Sequence, residues 1–152
     1  CGTGRLLKAL GPKIKLGVGL EYDSKNIALC QKECPSNVTF RQEDITATDY
    51  GVLRRDLNFD TVILSHILEH LEDPVKLLKQ IAAPRFLICV PSQENWRAQL
   101  RKQMGLSYFS DKTHFREYTR PMLSDELARA GYGVDYFGFN SEGEIIAEAS
   151  RR

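Results

Sequence analysis

The chain has 152 residues and a mass of 17.3 kDa, and 42% of its residues are apolar, enough for the core of one domain. Twenty-one basic against twenty acidic side chains leave a net charge of +1, which argues against a nucleic-acid footprint or a polybasic membrane patch. The longest apolar run, residues 86–90 before Pro91, falls far short of the ~20 residues needed to cross a bilayer. No charged-then-apolar targeting segment opens the sequence. It opens instead on Cys1-Gly2-Thr3-Gly4, a glycine turn of the kind that follows a strand, so the chain reads as starting inside a motif.

Helix-like and strand-like segments then alternate, the pattern of an α/β domain with a mainly parallel sheet. Residues 5–10 read as a helix stopped by Gly11-Pro12, residues 14–21 as a strand, and residues 24–34 as a helix ended by Pro35. A short strand over 38–41 leads to the polar Gln42-Glu43-Asp44, and a weak helix follows over 49–55. Residues 59–65 are β-branched and apolar enough for a strand buried on both faces. Asp73-Pro74 supplies a cap and a proline at the first helical position for a helix over 74–81. Residues 85–90 are the next buried strand. Thr119 caps a helix ending near Ala130, with Gly131 as its left-handed terminator. Two strands, 134–139 and 144–149, flank a hairpin turn at Asn140-Ser141-Glu142-Gly143.

No repeat or linker interrupts this order, so residues 1–152 read as a single domain. One long connection, residues 91–120, carries Trp96, Tyr108, Phe109, His114, Phe115 and Tyr118, with a short helix over 96–103. Connections beyond about 12–15 residues inside a domain are commonly lids or binding elements, and this one reads as an acceptor-side lid. The cysteines make no Cys-x-x-Cys pair; Cys1, Cys30, Cys34 and Cys89 read as free thiols of a cytoplasmic protein.

Open parallel sheets bind ligands beyond the carboxyl ends of their strands. Four features fall there: Gly2-Thr3-Gly4, Glu21, Gln42-Glu43-Asp44, and Ser65-His66. Glycines admit a ligand close to the backbone. An acid ending one strand accepts from ribose hydroxyls, and an acid ending the next can accept from an adenine amino group. A dinucleotide fingerprint needs a third glycine, but Gly4 is followed by Arg5-Leu6-Leu7. A nucleoside cofactor without a pyrophosphate does not need that glycine, and S-adenosylmethionine is one.

At these residues the chain resembles the class I S-adenosylmethionine-dependent methyltransferases. Cys1-Gly2-Thr3-Gly4 is similar to the second half of their glycine motif, and Glu21 and Asp44 stand where their two cofactor-binding acids stand. The segment Phe59-Asp60-Thr61-Val62-Ile63-Leu64-Ser65-His66-Ile67-Leu68-Glu69-His70-Leu71, followed by Asp73-Pro74, resembles a run typical of the small-molecule branch. Asp111, His114, Arg116, Tyr118 and Thr119, then Gly131-Tyr132, resemble its lid.

The resemblance implies a Rossmann-like α/β fold: a mainly parallel central sheet, an antiparallel C-terminal hairpin, and a first strand preceding Cys1. It implies S-adenosylmethionine as cofactor and a small-molecule acceptor such as a sugar, with neither nucleic acid nor membrane as partner. Gly2 and Gly4 would border the methionine and ribose part, Glu21 the ribose, Asp44 and the Ile45 backbone the adenine, and Ser65 with His66 the sulfonium mouth. Without the first strand, residues 1–152 alone are expected to bind the cofactor weakly. The runner-up readings are an NAD-binding oxidoreductase and a catalytically silent cofactor-binding scaffold.

Methyl transfer needs a base only if the acceptor loses a proton as it attacks, and histidine suits that near neutral pH. His66 and His114 are the candidates. His114 is the better placed, although Asp111, His114 and Tyr118 would also serve simply to tether the loop. His66-Ile67-Leu68-Glu69-His70 fits an inverted zinc-protease pattern, but it directly follows a strand and no helix downstream offers a third carboxylate; no metal is expected. His70 reads as a hydrogen-bonding residue beside the strand end. Gly17-x-Gly19 lies within a strand and reads as close backbone packing. Asp23 is an alternative ribose acid or a helix cap, and Arg97, Arg101 and Lys102 an anion-attracting patch or a solvated face.

Overall fold

The computed structural model describes residues 1–152, which divide into two units, Cys1–Asp49 and Tyr50–Arg152. The first unit begins with helix α1 (Arg5–Leu10), which a 3₁₀ turn over Gly11–Lys13 ends at Pro12. Strand β1 (Gly17–Glu21) follows, then helix α2 (Ser24–Cys30) and strand β2 (Val38–Gln42). The two strands pair in parallel, Gly17 opposite Val38 and Glu21 opposite Gln42, so the two strand-end acidic regions lie side by side. Gly19 is needed for this packing: a Cβ there would stand 2.5 Å from the Phe40 ring.

Two expected boundaries in this unit move. The strand expected from residue 14 begins at Gly17, because residues 14–16 have no opposite strand; Asn37 Nδ2 donates instead to the carbonyls of Gly11 and Ile14, both at 2.8 Å. The helix expected through residue 34 stops at Cys30. Lys32 N donates to Leu29 O in a tightened turn, and Glu33 takes a left-handed φ of 49° that no α-helix continues.

The second unit holds helix α3 (Tyr50–Leu57), strand β3 (Thr61–Ser65), helix α4 (Pro74–Ile81) and strand β4 (Arg85–Val90). Helices α5 (Trp96–Gln103) and α6 (Arg120–Arg129) precede strands β5 (Tyr132–Phe139) and β6 (Ile145–Arg151). The sheet order is β3-β4-β6-β5, with β3 and β4 parallel and β6 antiparallel to both of its neighbours. The C-terminal hairpin is therefore present, and its returning strand lies between β4 and β5. Its side chains alternate: Ile145, Ala147 and Ala149 are fully buried, whereas the residues between them are not.

Caps set the helix starts. Asp73 accepts from Lys76 N before Pro74, Asn95 from Ala98 N, and Thr119 from Met122 N. The buried face of α4 (Val75, Leu77, Leu78, Ile81) and Leu123 and Leu127 of α6 join Phe86 and Ile88 of β4 in the core. The ring of Phe86 meets Tyr132 edge-on at 4.8 Å. Tyr118 is also fully buried, and its hydroxyl donates to Glu126 at 2.9 Å. Its backbone brackets the β4 end, donating to Pro91 O and accepting from Gln93 N. The end of the long 91–120 connection is thus anchored in the core, while Trp96 and Phe115 on the same connection are exposed.

Candidate functional site

In the first unit the glycine turn and the acid ending β1 meet directly. Gly2 has a φ of 56° and Gly4 a φ of 74°, which a side chain would strain. A Cβ on Gly4 would press into Phe40, but one on Gly2 would meet no protein atom within 4 Å. The backbone at Gly2 is therefore open to close approach, while that at Gly4 is packed.

Glu21 is buried. Its Oε2 accepts from Gly2 N at 2.6 Å and its Oε1 from Asp23 N at 3.0 Å. Burial acts to raise its pKa, and the bonds from the Asp23 and Gly2 amides act to lower it. Oε1 keeps a lone pair for a further donor. Asp23 is the cap of α2, with Lys25 N donating to it at 2.8 Å, so of its two expected roles the cap is the one filled. Asp44 lies two residues past β2, where Oδ1 accepts from the Thr46 amide at 2.8 Å and the Thr46 hydroxyl at 2.7 Å. Those bonds hold its pKa low and fix the turn that carries Ile45.

The second unit gathers the remaining candidates around one strand end. Ser65 ends β3, and His66 follows in a left-handed conformation, φ 54°, with its amide on Cys89 O at 2.9 Å. A non-glycine residue held there is the kind of strain that accumulates at functional sites. Its ring lies between two carboxylates, Nδ1 at 3.2 Å from Glu69 and Nε2 at 3.3 Å from Glu144. A neutral imidazole can donate to only one of them. Glu144 comes from the β5–β6 turn, where Asn140 Nδ2 donates to it at 2.7 Å, and it also accepts from the Cys89 thiol at 3.4 Å. Burial, reinforced by Glu144, pushes that thiol up to about 12. All four cysteines are free thiols, Cys30 buried and Cys1 exposed.

Glu69 has no exposure at all, and neither of its oxygens makes a hydrogen bond. The 3.2 Å approach of His66 is ion-pair distance without hydrogen-bond direction, so the orphaned state is the better description. Its backbone carbonyl accepts from Phe115 N at 2.8 Å, which draws the lid segment onto it. His114 is thereby brought edge-on to His70, ring centroids 4.6 Å apart. His114 Nδ1 lies 3.6 Å from Glu117, a carboxylate that also accepts from Ser110 N. His70 Nδ1 lies 3.1 Å from the Thr113 hydroxyl, the hydrogen bond expected of it, although its side chain is exposed.

The loop tether expected around His114 is partly made by other residues. Asp111 accepts from the amide and hydroxyl of Thr113, and Tyr118 is bonded to Glu126. Arg97 stacks on Trp96 and Lys102 on Tyr108, with Lys102 also bonded to Gln93, so these cations are engaged locally. The sequence reading assigned Gly2, Gly4 and Glu21 to one cofactor site and His114 to the acceptor-side lid, and it set aside a metal pattern over His66, Glu69 and His70. It passed over Glu117 and Glu144, which carry no local signal.

A family profile described as a methyltransferase domain matches residues 1–136. No curated protein sequence matches the chain significantly. Among solved structures, magnesium protoporphyrin IX methyltransferase from Synechocystis PCC 6803, with bound SAH, superposes with a TM-score of 0.73 at 20% identity, covering 100% of this chain and 71% of that one. N,N-8-amino-8-demethyl-D-riboflavin dimethyltransferase from Streptomyces davawensis gives 0.73 at 22% identity, covering 99% and 47%. The mitomycin 7-O-methyltransferase MmcR gives 0.75 at 18%, also covering 99% and 47%. The chain thus spans about half the length of two of these structures and 71% of the third, and at such identities the likeness establishes the α/β methyltransferase fold.

Proposed function

The chain belongs to the methyltransferase-domain family, and from that premise we propose that it transfers a methyl group from S-adenosylmethionine to a small-molecule acceptor. The observation that carries this reading is the bond from the Gly2 amide to the buried Glu21 carboxylate, 2.6 Å, beside a glycine with open space on its Cβ side. This is a preformed cradle with a fixed acid at its edge. Both units belong to one methyltransferase domain on this reading, and the 91–120 connection is its acceptor-side element.

Bound S-adenosylmethionine supplies a methyl group on a positively charged sulfur, open to in-line displacement. The chain's own work is then mainly alignment. Gly2 and Gly4 border the methionine and ribose part. Glu21, held by the Gly2 and Asp23 amides, accepts from ribose hydroxyls without reorganising. Asp44 and the Ile45 backbone take the adenine edge, and Ser65 with His66 border the sulfonium. His114, on the acceptor-side segment, orients the acceptor and receives its proton where the acceptor has one to lose. The three similar structures are methyltransferases named for a porphyrin, a flavin derivative and a mitomycin, which supports a small-molecule acceptor here. The setting is the cytoplasm, where four unpaired thiols stay reduced.

The test is transfer of isotope-labelled methyl from S-adenosylmethionine to a mixture of metabolites, protein and RNA. Label in the metabolite fraction is the expected outcome. Label confined to RNA or protein, or no label in any fraction, contradicts the reading.

A further inference from the structure

The buried Glu69 carboxylate lacks a hydrogen-bond partner, yet an uncompensated carboxylate is among the costliest groups to leave buried. Ligating atoms of Glu69, His70 and His114 all lie within 4.8 Å of one another. We propose that these three side chains bind one divalent transition-metal cation. Two imidazoles and one carboxylate form a donor set suited to cations of the zinc, iron and manganese group, and three protein ligands leave positions open for oxygen. The surroundings match such a site. Glu117 lies at 3.6 Å from His114 Nδ1 and Thr113 at 3.1 Å from His70 Nδ1, the second partners that orient ligating histidines. Phe115 N on the Glu69 carbonyl ties the segment bearing His114 to the one bearing the other two ligands.

A second trio, His66, Cys89 and Glu144, is equally close, but its carboxylate already accepts hydrogen bonds from Asn140 Nδ2 and the Cys89 thiol, which Glu69 lacks. The cation deepens the methyl-transfer reading and rests on it for its use: His114 would meet an acceptor oxygen through the cation instead of as a free base. The binding itself does not depend on that reading.

Calorimetric titration of the metal-free protein with Zn²⁺, with neither cofactor nor acceptor present, decides it. The expected result is one ion per chain at a dissociation constant below about 10 µM. His70→Ala and His114→Ala should each weaken it at least about tenfold, the scale on which ligand shells act. His70 is exposed, so His70→Ala should keep the melting temperature of the metal-free protein; the His114 side chain is nearly buried, so the melting temperature of both variants is measured alongside and His70→Ala decides where His114→Ala loses stability. Cys89→Ser should bind as the parent does. Absence of binding up to about 1 mM, or affinities in both histidine variants within about twofold of the parent, overturns the proposal. So does loss of binding in Cys89→Ser with retention in His70→Ala, which would assign the ion to the other trio. Failure here with methyl transfer intact leaves His114 as the base.

Discussion

Glu21 in the first unit and Glu69 in the second, where Glu117 is also buried, are the glutamates at the centre of each candidate site, and the two are finished differently. Glu21 accepts on both oxygens from backbone amides within its own unit, Gly2 N and Asp23 N. Glu69 is more deeply buried and has no hydrogen bond on either oxygen. A satisfied buried carboxylate is a fixed acceptor, rigid and ionised, suited to a neutral ligand that brings hydroxyl donors. An orphaned one stores a desolvation cost that a bound positive charge would relieve. On the readings proposed above, the contrast separates a subsite for a nucleoside from a subsite for a cation.

Substituting each glutamate by methionine, similar in length but apolar, should break the symmetry. Glu21→Met removes two charge-assisted bonds and leaves the Gly2 and Asp23 amides without their acceptor, so it should destabilise the fold by about 3 kcal/mol in a denaturant titration. A loss below about 0.5 kcal/mol would contradict the bonding seen at Glu21.

The smaller effect has the opposite sign. In chelator, Glu69→Met should stabilise the protein by about 1 kcal/mol, since an apolar side chain replaces a buried acid that gains no hydrogen bond. Destabilisation by several kcal/mol would mean that Glu69 is a paired structural acid like Glu21, and the contrast between the two units would disappear. Stabilisation together with lost Zn²⁺ binding would mark a residue kept for its ligand at the expense of the fold.

What the residues disclosed was what is local. Asp73-Pro74 and Thr119 start helices through bonds spanning three residues, and the apolar run of β4 buries Phe86, Ile88 and Val90; β3, expected to be buried on both faces, buries only Leu64, because it pairs with a strand on one side of its sheet only. Glu21 and the glycine turn were legible because strand-end chemistry repeats at a fixed place in α/β sheets. The early stop of α2 was not, since it depends on the left-handed turn at Glu33 that brings Pro35 and Val38 into position. Nor was the cluster around Glu69. Its histidines stand 44 positions apart in the sequence and meet only because Phe115 bonds to Glu69 O. Glu144 reaches Cys89 across 55 residues only because β6 runs back beside β4.

The central claim is that the glycine turn and Glu21 form a nucleoside-cofactor cradle, and calorimetric titration with S-adenosylhomocysteine tests it most directly. The protein should bind one equivalent at micromolar affinity, and Glu21→Gln should weaken that at least about tenfold, about 1.4 kcal/mol, by taking the charge from the ribose acceptor. No heat at high micromolar ligand, or equal affinity in Glu21→Gln and the parent, would contradict it.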